Sequence, residues 1–119
     1  LSQTKRESIK VFKGSDNFKR DFIHVDDVVN ITTQSINYPS GIYNVGTGNA
    51  RSFMEVANII SSLTDTPIQE IEFPKKLIGK YQSYTCSDNC KINKVTDYKS
   101  IYSLEKGIRD VASKKGYIH

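Results

Sequence analysis

Tryptophan is absent from the 119 residues, methionine occurs once, proline three times, and cysteine and histidine twice each. Cys86 and Cys90 stand in a C-x3-C spacing, which matches neither the C-x2-C pairs of zinc sites nor the redox C-x-x-C motif. His24 and His119 are the imidazoles that remain to complete a metal site, and both lie far from the cysteines in sequence. Two reduced thiols in a reducing, cytoplasmic compartment are the reading adopted, with a metal site or a disulfide as the alternative. No apolar stretch approaches the ~18 residues of a membrane-spanning helix. No signal-peptide pattern occurs either, so neither a membrane partner nor export is expected. The 17 basic residues outnumber the 13 acidic ones for a net charge of +4. No cationic run is long enough for a nucleic-acid arm, and no nucleic-acid partner is expected. Also missing are G-x-S-x-G, H-E-x-x-H, the P-loop and G-x-G-x-x-G.

What is present suits one small domain over residues 1–119, with 37% hydrophobic residues to build a modest core. Leu1 stands where an initiator methionine would, and the chain is expected to be a piece of a longer polypeptide. Ile9–Phe12 (IKVF) reads as a strand, Gly14 to Asn17 as a turn, and Phe18–Val25 as a second alternating strand, so residues 9–25 predict a hairpin. Asp26 or Asp27 is expected to cap a helix to about Ile36. Ile42–Val45 (IYNV) reads as a buried strand, suited to a parallel sheet whose other strands are missing. Ser52 and Glu55 form an S-x-x-E capping box for a helix ended by Thr64–Pro67. Ile68–Phe73 predicts a strand, Ser87 or Asp88 caps a short helix through Ile92 and Val95, and Ser103 caps a final helix closed by Gly116. The order β-β-α-β-α-β-α-α predicts a layered α/β domain, or α+β for this segment taken alone.

Three features carry candidate chemistry. Gly46-Thr47-Gly48 follows a strand and precedes a helix, but the third glycine of a dinucleotide loop is missing, so a tight turn is the simpler reading. Asp26-Asp27 is a paired carboxylate at a helix start, where capping accounts for it better than acid–base catalysis; His24 suits a packed, hydrogen-bonded imidazole. The stretch FKGSDNFKRDFIHVDDV brings Lys13, Lys19 and Arg20 to one turn, with Lys10 just upstream and Phe12 and Phe18 flanking. Arginine's planar fork fits phosphate oxygens, and glycine lets backbone approach a ligand closely. These residues describe a site for a nucleotide diphosphate; a solvated basic turn explains them equally well.

FKGSDNFKRDFIHVDDV, GIYNVGTGNARSF and IEFPKKLIGKYQSYT together resemble the C-terminal third of the ADP-glycero-manno-heptose 6-epimerase family, extended short-chain dehydrogenases/reductases. The resemblance runs from about Ile9 to about Val111. R-D-F-[IV]-x-V-x-D-V and N-[LV]-G-T-G recur across nucleotide-sugar epimerases and dehydratases, whereas F-x-G-S-x-N-F-K-R and F-P-x-K-L-x-G-[RK]-Y-Q point to the heptose epimerases. The resemblance implies substrate contacts at Phe12, Lys13, Gly14 and Ser15, a phosphate-binding role for Arg20, and a substrate contact at Tyr81. Lys13 departs from the family's acidic residue, and His24 replaces its usual tyrosine. It implies inversion at C6 of an ADP-heptose through a transient ketone, with NADP as the redox cofactor, in lipopolysaccharide core biosynthesis. The family's cofactor loop and its tyrosine and lysine catalysts match nothing in this sequence. The N-terminal Rossmann domain is therefore expected upstream of Leu1, and this segment alone is expected to be inactive. Expected partners are the nucleotide sugar, that cofactor domain, and further copies in a homo-oligomer; exposed apolar surface is expected to promote self-association. The alternatives are another nucleotide-sugar epimerase or dehydratase of the superfamily, or a non-catalytic basic module.

Overall fold

The structure, a computed structural model, describes residues 8–118; Leu1 and His119, which figure in the sequence reading, lie outside the described residues. The elements run β1 (Ile9–Phe12), β2 (Lys19–Arg20), α1 (Val25–Gln34), β3 (Arg51–Ser52), α2 (Phe53–Thr64), β4 (Ile68–Ile71), α3 (Cys90–Asn93) and α4 (Leu104–Lys114). Single 3-10 turns occupy Ser15–Asn17, Ser35–Asn37 and Lys75–Leu77. The body is a slab of 49 × 40 × 18 Å. Its buried apolar side chains among the described residues are Ile31, Ala57, Ile92 and Ala112.

The β–α order matches the sequence reading, but two strands pair differently. The predicted 9–25 hairpin does not form. β1 instead lies parallel to β4, from Ile9 opposite Ile68 to Phe12 opposite Ile71. The Lys13 N–H extends that ladder by donating to the Ile71 carbonyl at 2.8 Å. Gly14 then takes a left-handed conformation (φ 83°) and leads into the 3-10 turn. That turn buries Ser15 and carries the chain away from β1. The second strand shrinks to β2, antiparallel to β3. On its other side the Lys19 N–H donates to the Ser83 carbonyl and the Thr85 N–H donates to the Lys19 carbonyl.

The expected strand at 42–45 is also absent. Residues 42–45 carry no regular structure, and Ile42 is 85% exposed. The third strand of the order is β3, which leads directly into α2.

α2 forms as predicted. The Ser52 hydroxyl accepts from the Glu55 N–H while the Glu55 carboxylate accepts from the Ser52 N–H, satisfying two donors at the helix start. One face of α2 covers the β1/β4 sheet and α4 packs against it as well. Arg51, at the foot of α2, binds both Glu105 of α4 and Glu55 at 2.7 Å.

α1 starts two or three residues earlier than expected. His24 is its N-cap, and its Nδ1 accepts from the Asp26 N–H at 2.9 Å. Asp27 is therefore not the cap. Its carboxylate is buried and accepts from the Ile101 N–H at 2.8 Å and the Tyr102 N–H at 3.1 Å, fastening α1 to the segment before α4. Ser103 caps α4 as predicted, by accepting from the Lys106 N–H.

Two outcomes follow from this framework. Asp27→Ala leaves two inward N–H groups without an acceptor, so chemical denaturation is expected to show a loss of about 3 kcal/mol. Asp21 gives the acid limb. Burial pushes its carboxyl up, but the Thr47 hydroxyl and the N–H groups of Thr47, Gly48 and Ser87 together outweigh burial and hold it below the ordinary aspartate value. A carboxyl depressed on folding contributes stability above its unfolded value of about 4, lost as pH falls through the folded value. The urea midpoint is expected to fall below about pH 4, and Asp21→Asn to lower it at pH 7 with a shallower acid decline.

Candidate functional site

The centre of the site is β2 and the residue after it. The Asp21 carboxylate accepts from the Thr47 N–H and the Gly48 N–H at 2.9 Å each, from the Ser87 N–H at 3.1 Å, and from the Thr47 hydroxyl. The Cys86 thiol lies 3.9 Å away. Gly46 is required here: a Cβ would stand 2.5 Å from the Asp21 carboxylate and 2.5 Å from the Ser87 side chain. The G-T-G turn is thus a tight turn whose N–H groups already hold an internal anion. They are not free to cradle the phosphates of a dinucleotide.

Arg20 precedes Asp21. Its guanidinium lies over the Phe53 ring at 5.4 Å and the Tyr81 ring at 5.3 Å, within cation–π range. One Nη1–H donates to the Lys19 carbonyl at 2.9 Å. Arg20 forms no ion pair among the described residues. A half-buried, oriented guanidinium without a carboxylate has donors left for an incoming anion.

Beside it opens a cavity of about 310 Å³ between the β1/β4 sheet and α2. Ile9, Val11, Val56, Ile60 and Ile71 give it an apolar wall, and Phe12, Phe18 and Tyr81 give it an aromatic end. That end is a connected set of rings: Phe12 on Phe73 at 5.3 Å, Phe73 on Phe18 and Tyr81 at 5.4 Å, and Phe18 on Tyr81 at 5.0 Å. Ser15 also lines the cavity, 2% exposed, and its hydroxyl has no partner among the described residues. A buried hydroxyl without a partner is costly, and its natural complement is a polar atom of a ligand or a water.

Of the residues singled out from the sequence, Phe12, Ser15 and Tyr81 meet at this cavity, and Arg20 sits over Tyr81. Gly14 shapes the turn, and a Cβ there would meet open space. Lys13 is not among the cavity-lining side chains. Its ammonium is 2.6 Å from Glu72 across the ends of β1 and β4, and the hydrogen bond it donates to Glu72 and the charge of that carboxylate raise the lysine pKa. Lys10 lines the cavity and Lys19 is exposed, so the four cations do not converge on one point. Sequence reasoning missed Phe53, Phe73 and Asp21. Phe53 read as helix core, Phe73 as the end of a strand, and nothing in R-D-F signals a carboxylate that gathers distant N–H groups.

His24 is a packed imidazole, 3% exposed in its side chain and stacked on Tyr102 at 3.8 Å. With Nδ1 accepting, Nε2 carries the proton and donates to Asp110 at 2.9 Å. Lys114, at 3.0 Å, and then His24 hold Asp110 below its ordinary pKa. His24, Asp26 and Asp110 cluster closely enough to suggest metal ligands, but both imidazole nitrogens are already engaged. Cys86 and Cys90 are free thiols.

No protein-family profile matches the chain. Over 109 residues, 89% of this chain, it is 42% identical to the ADP-L-glycero-D-manno-heptose-6-epimerase of Brachyspira hyodysenteriae, of which it covers 34%. The crystal structure of the Helicobacter pylori ADP-L-glycero-D-manno-heptose-6-epimerase superposes with a TM-score of 0.76 at 28% identity, over 90% of this chain and 32% of that one. The Thermotoga maritima UDP-glucose 4-epimerase, solved with UDP-glucose, superposes with a TM-score of 0.73 at 21% identity, over 92% of this chain and 36% of that one, a likeness of fold. The chain spans about a third of the length of these relatives. By sequence and by fold, the chain is similar to about a third of an ADP-L-glycero-D-manno-heptose-6-epimerase.

Proposed function

We propose that this chain is the nucleotide-sugar-binding part of an epimerase that inverts C6 of ADP-glycero-manno-heptose through a transient ketone, in lipopolysaccharide core biosynthesis. The observation that carries the reading is Arg20: a guanidinium oriented by two aromatic rings, with no carboxylate partner among the described residues, next to a 310 Å³ aromatic-ended cavity. A diphosphate on the guanidinium fork leaves a flat base and a sugar to occupy the space beside it. Phe12, Ser15 and Tyr81 are the proposed contacts within the cavity, and Gly14 supplies the turn that buries Ser15. Lys13 is assigned to Glu72 rather than to the ligand, so its departure from the family's acidic residue leaves nucleotide choice unaltered in this reading.

Turnover needs a nicotinamide cofactor, proposed as NADP, which supplies reversible hydride transfer when bound. The Thr47 and Gly48 N–H groups of the G-T-G turn face Asp21 and are not free for its phosphates. We therefore assign the cofactor and the catalytic groups to a further domain of the same polypeptide, in a cytoplasmic homo-oligomer, and expect residues 1–119 alone to be inactive. Two features support such a domain. Val25, Val29 and Ile36 form an exposed apolar stripe along and beyond α1, and residues 42–45 have no strand partner among the described residues. No helix among the described residues is long and apolar enough to cross a membrane.

A second reading, a UDP- or dTDP-sugar enzyme of the same superfamily, follows from the fold shared with the UDP-glucose 4-epimerase. Competition of ADP-heptose against UDP-glucose and dTDP-glucose separates the two. In the full-length protein, calorimetric titration with ADP-heptose is expected to show Arg20→Ala binding at least about tenfold more weakly, and Lys13→Ala within about twofold of wild type. Unchanged affinity in Arg20→Ala would remove the site assignment.

A further inference from the structure

Among the described residues Arg20 itself touches no acid, yet the next residue is the most heavily bonded carboxylate in the neighbourhood. We infer that Asp21 is the positioning residue of the Arg20 anion site: its carboxylate gathers the two segments that carry the rings on which the guanidinium lies. This rests on the reading of Arg20 as the anion contact.

The connectivity makes the case. Asp21 accepts from Thr47 and Gly48, and the chain runs from Gly48 through β3 into Phe53, one of the two rings. Asp21 also accepts from Ser87, which follows closely on Tyr81, the other ring. β2 lies between those segments, paired with Arg51–Ser52 on one side and bonded to Ser83 and Thr85 on the other. One carboxylate thereby closes both flanks of the strand that presents Arg20. The fit leaves no slack, since Gly46 has no room for a Cβ against Asp21 and Ser87.

A merely structural Asp21 and a positioning Asp21 differ in one respect. If position is the point, refilling the vacated N–H cluster of Thr47, Gly48 and Ser87 with an exogenous carboxylate restores the anion site without restoring the side chain. The experiment uses the full-length protein with ADP as probe. Affinity is read by calorimetry, and the Arg20 Nε–H proton shift by NMR, because guanidinium stacking on Phe53 and Tyr81 places that proton in their ring currents. Asp21→Ala is expected to weaken ADP about fivefold or more and to move the Arg20 Nε–H signal toward its unstacked position. Formate is expected to reverse both in this variant and to change neither in wild type. Gly46→Ala is expected to reproduce the weakening with Asp21 still present. Should Asp21→Ala not fold, Asp21→Asn carries the same weakening, because its amide sets N–H groups against N–H donors. An Asp21 variant that folds and binds ADP like wild type, while Arg20→Ala binds weakly, refutes the positioning role and leaves the anion site standing. Weakening that formate does not relieve in Asp21→Ala also refutes it. Unchanged ADP affinity in Arg20→Ala refutes the underlying reading instead.

Discussion

A single carboxylate, that of Asp21, ties together parts of the chain that share no regular element. It faces the turn before α2 and the segment after Tyr81, and it lies beside the strand that carries Arg20. Burial alone would discourage a charge at this position. Four donors aimed at the carboxylate make the charged form the favoured one, as the depressed pKa reflects. In a slab 18 Å thick, with few fully buried apolar side chains, such polar ties bear weight that a larger hydrophobic core would carry elsewhere. Asp27 and the Arg51 pair with Glu55 and Glu105 act in the same way at other joints, each linking a helix to something distant in sequence.

The local signals in the sequence read well. The capping box at Ser52 and Glu55, the Ser103 cap and the amphipathic run of α2 are decided within a few residues, and the structure follows them. Long-range pairing reads poorly, for a physical reason. The alternation in 9–25 is the same whether a strand pairs with its neighbour or with β4, and only the burial of Ser15 and the left-handed Gly14 select the second. The apolar run at 42–45 signals burial correctly only if something covers it, and among the described residues Tyr43 and Val45 are half-covered while Ile42 stays exposed.

The candidate site was legible in part. Arg20, Phe12, Ser15 and Tyr81 stood in stretches that drew attention, and the fold brings Phe12, Ser15 and Tyr81 to one cavity with Arg20 over the Tyr81 ring. The clustering of cations did not survive. Lys13 finds Glu72 because parallel pairing brings the ends of β1 and β4 side by side, a neighbour that spacing alone could not reveal. Phe73 and Phe53 escaped notice because an aromatic ring in a strand or at a helix start is ordinarily core.

Asp21 and Ser87 stand 66 positions apart. Their contact therefore closes only after a long stretch of chain has been brought home, at an entropic cost that grows slowly with length but must be met before any reward arrives. Topologies built on such remote contacts nucleate slowly. For a nascent or refolding copy of this chain, the junction that Asp21 closes is a late acquisition, gained with the tertiary structure and not retained by its isolated helices.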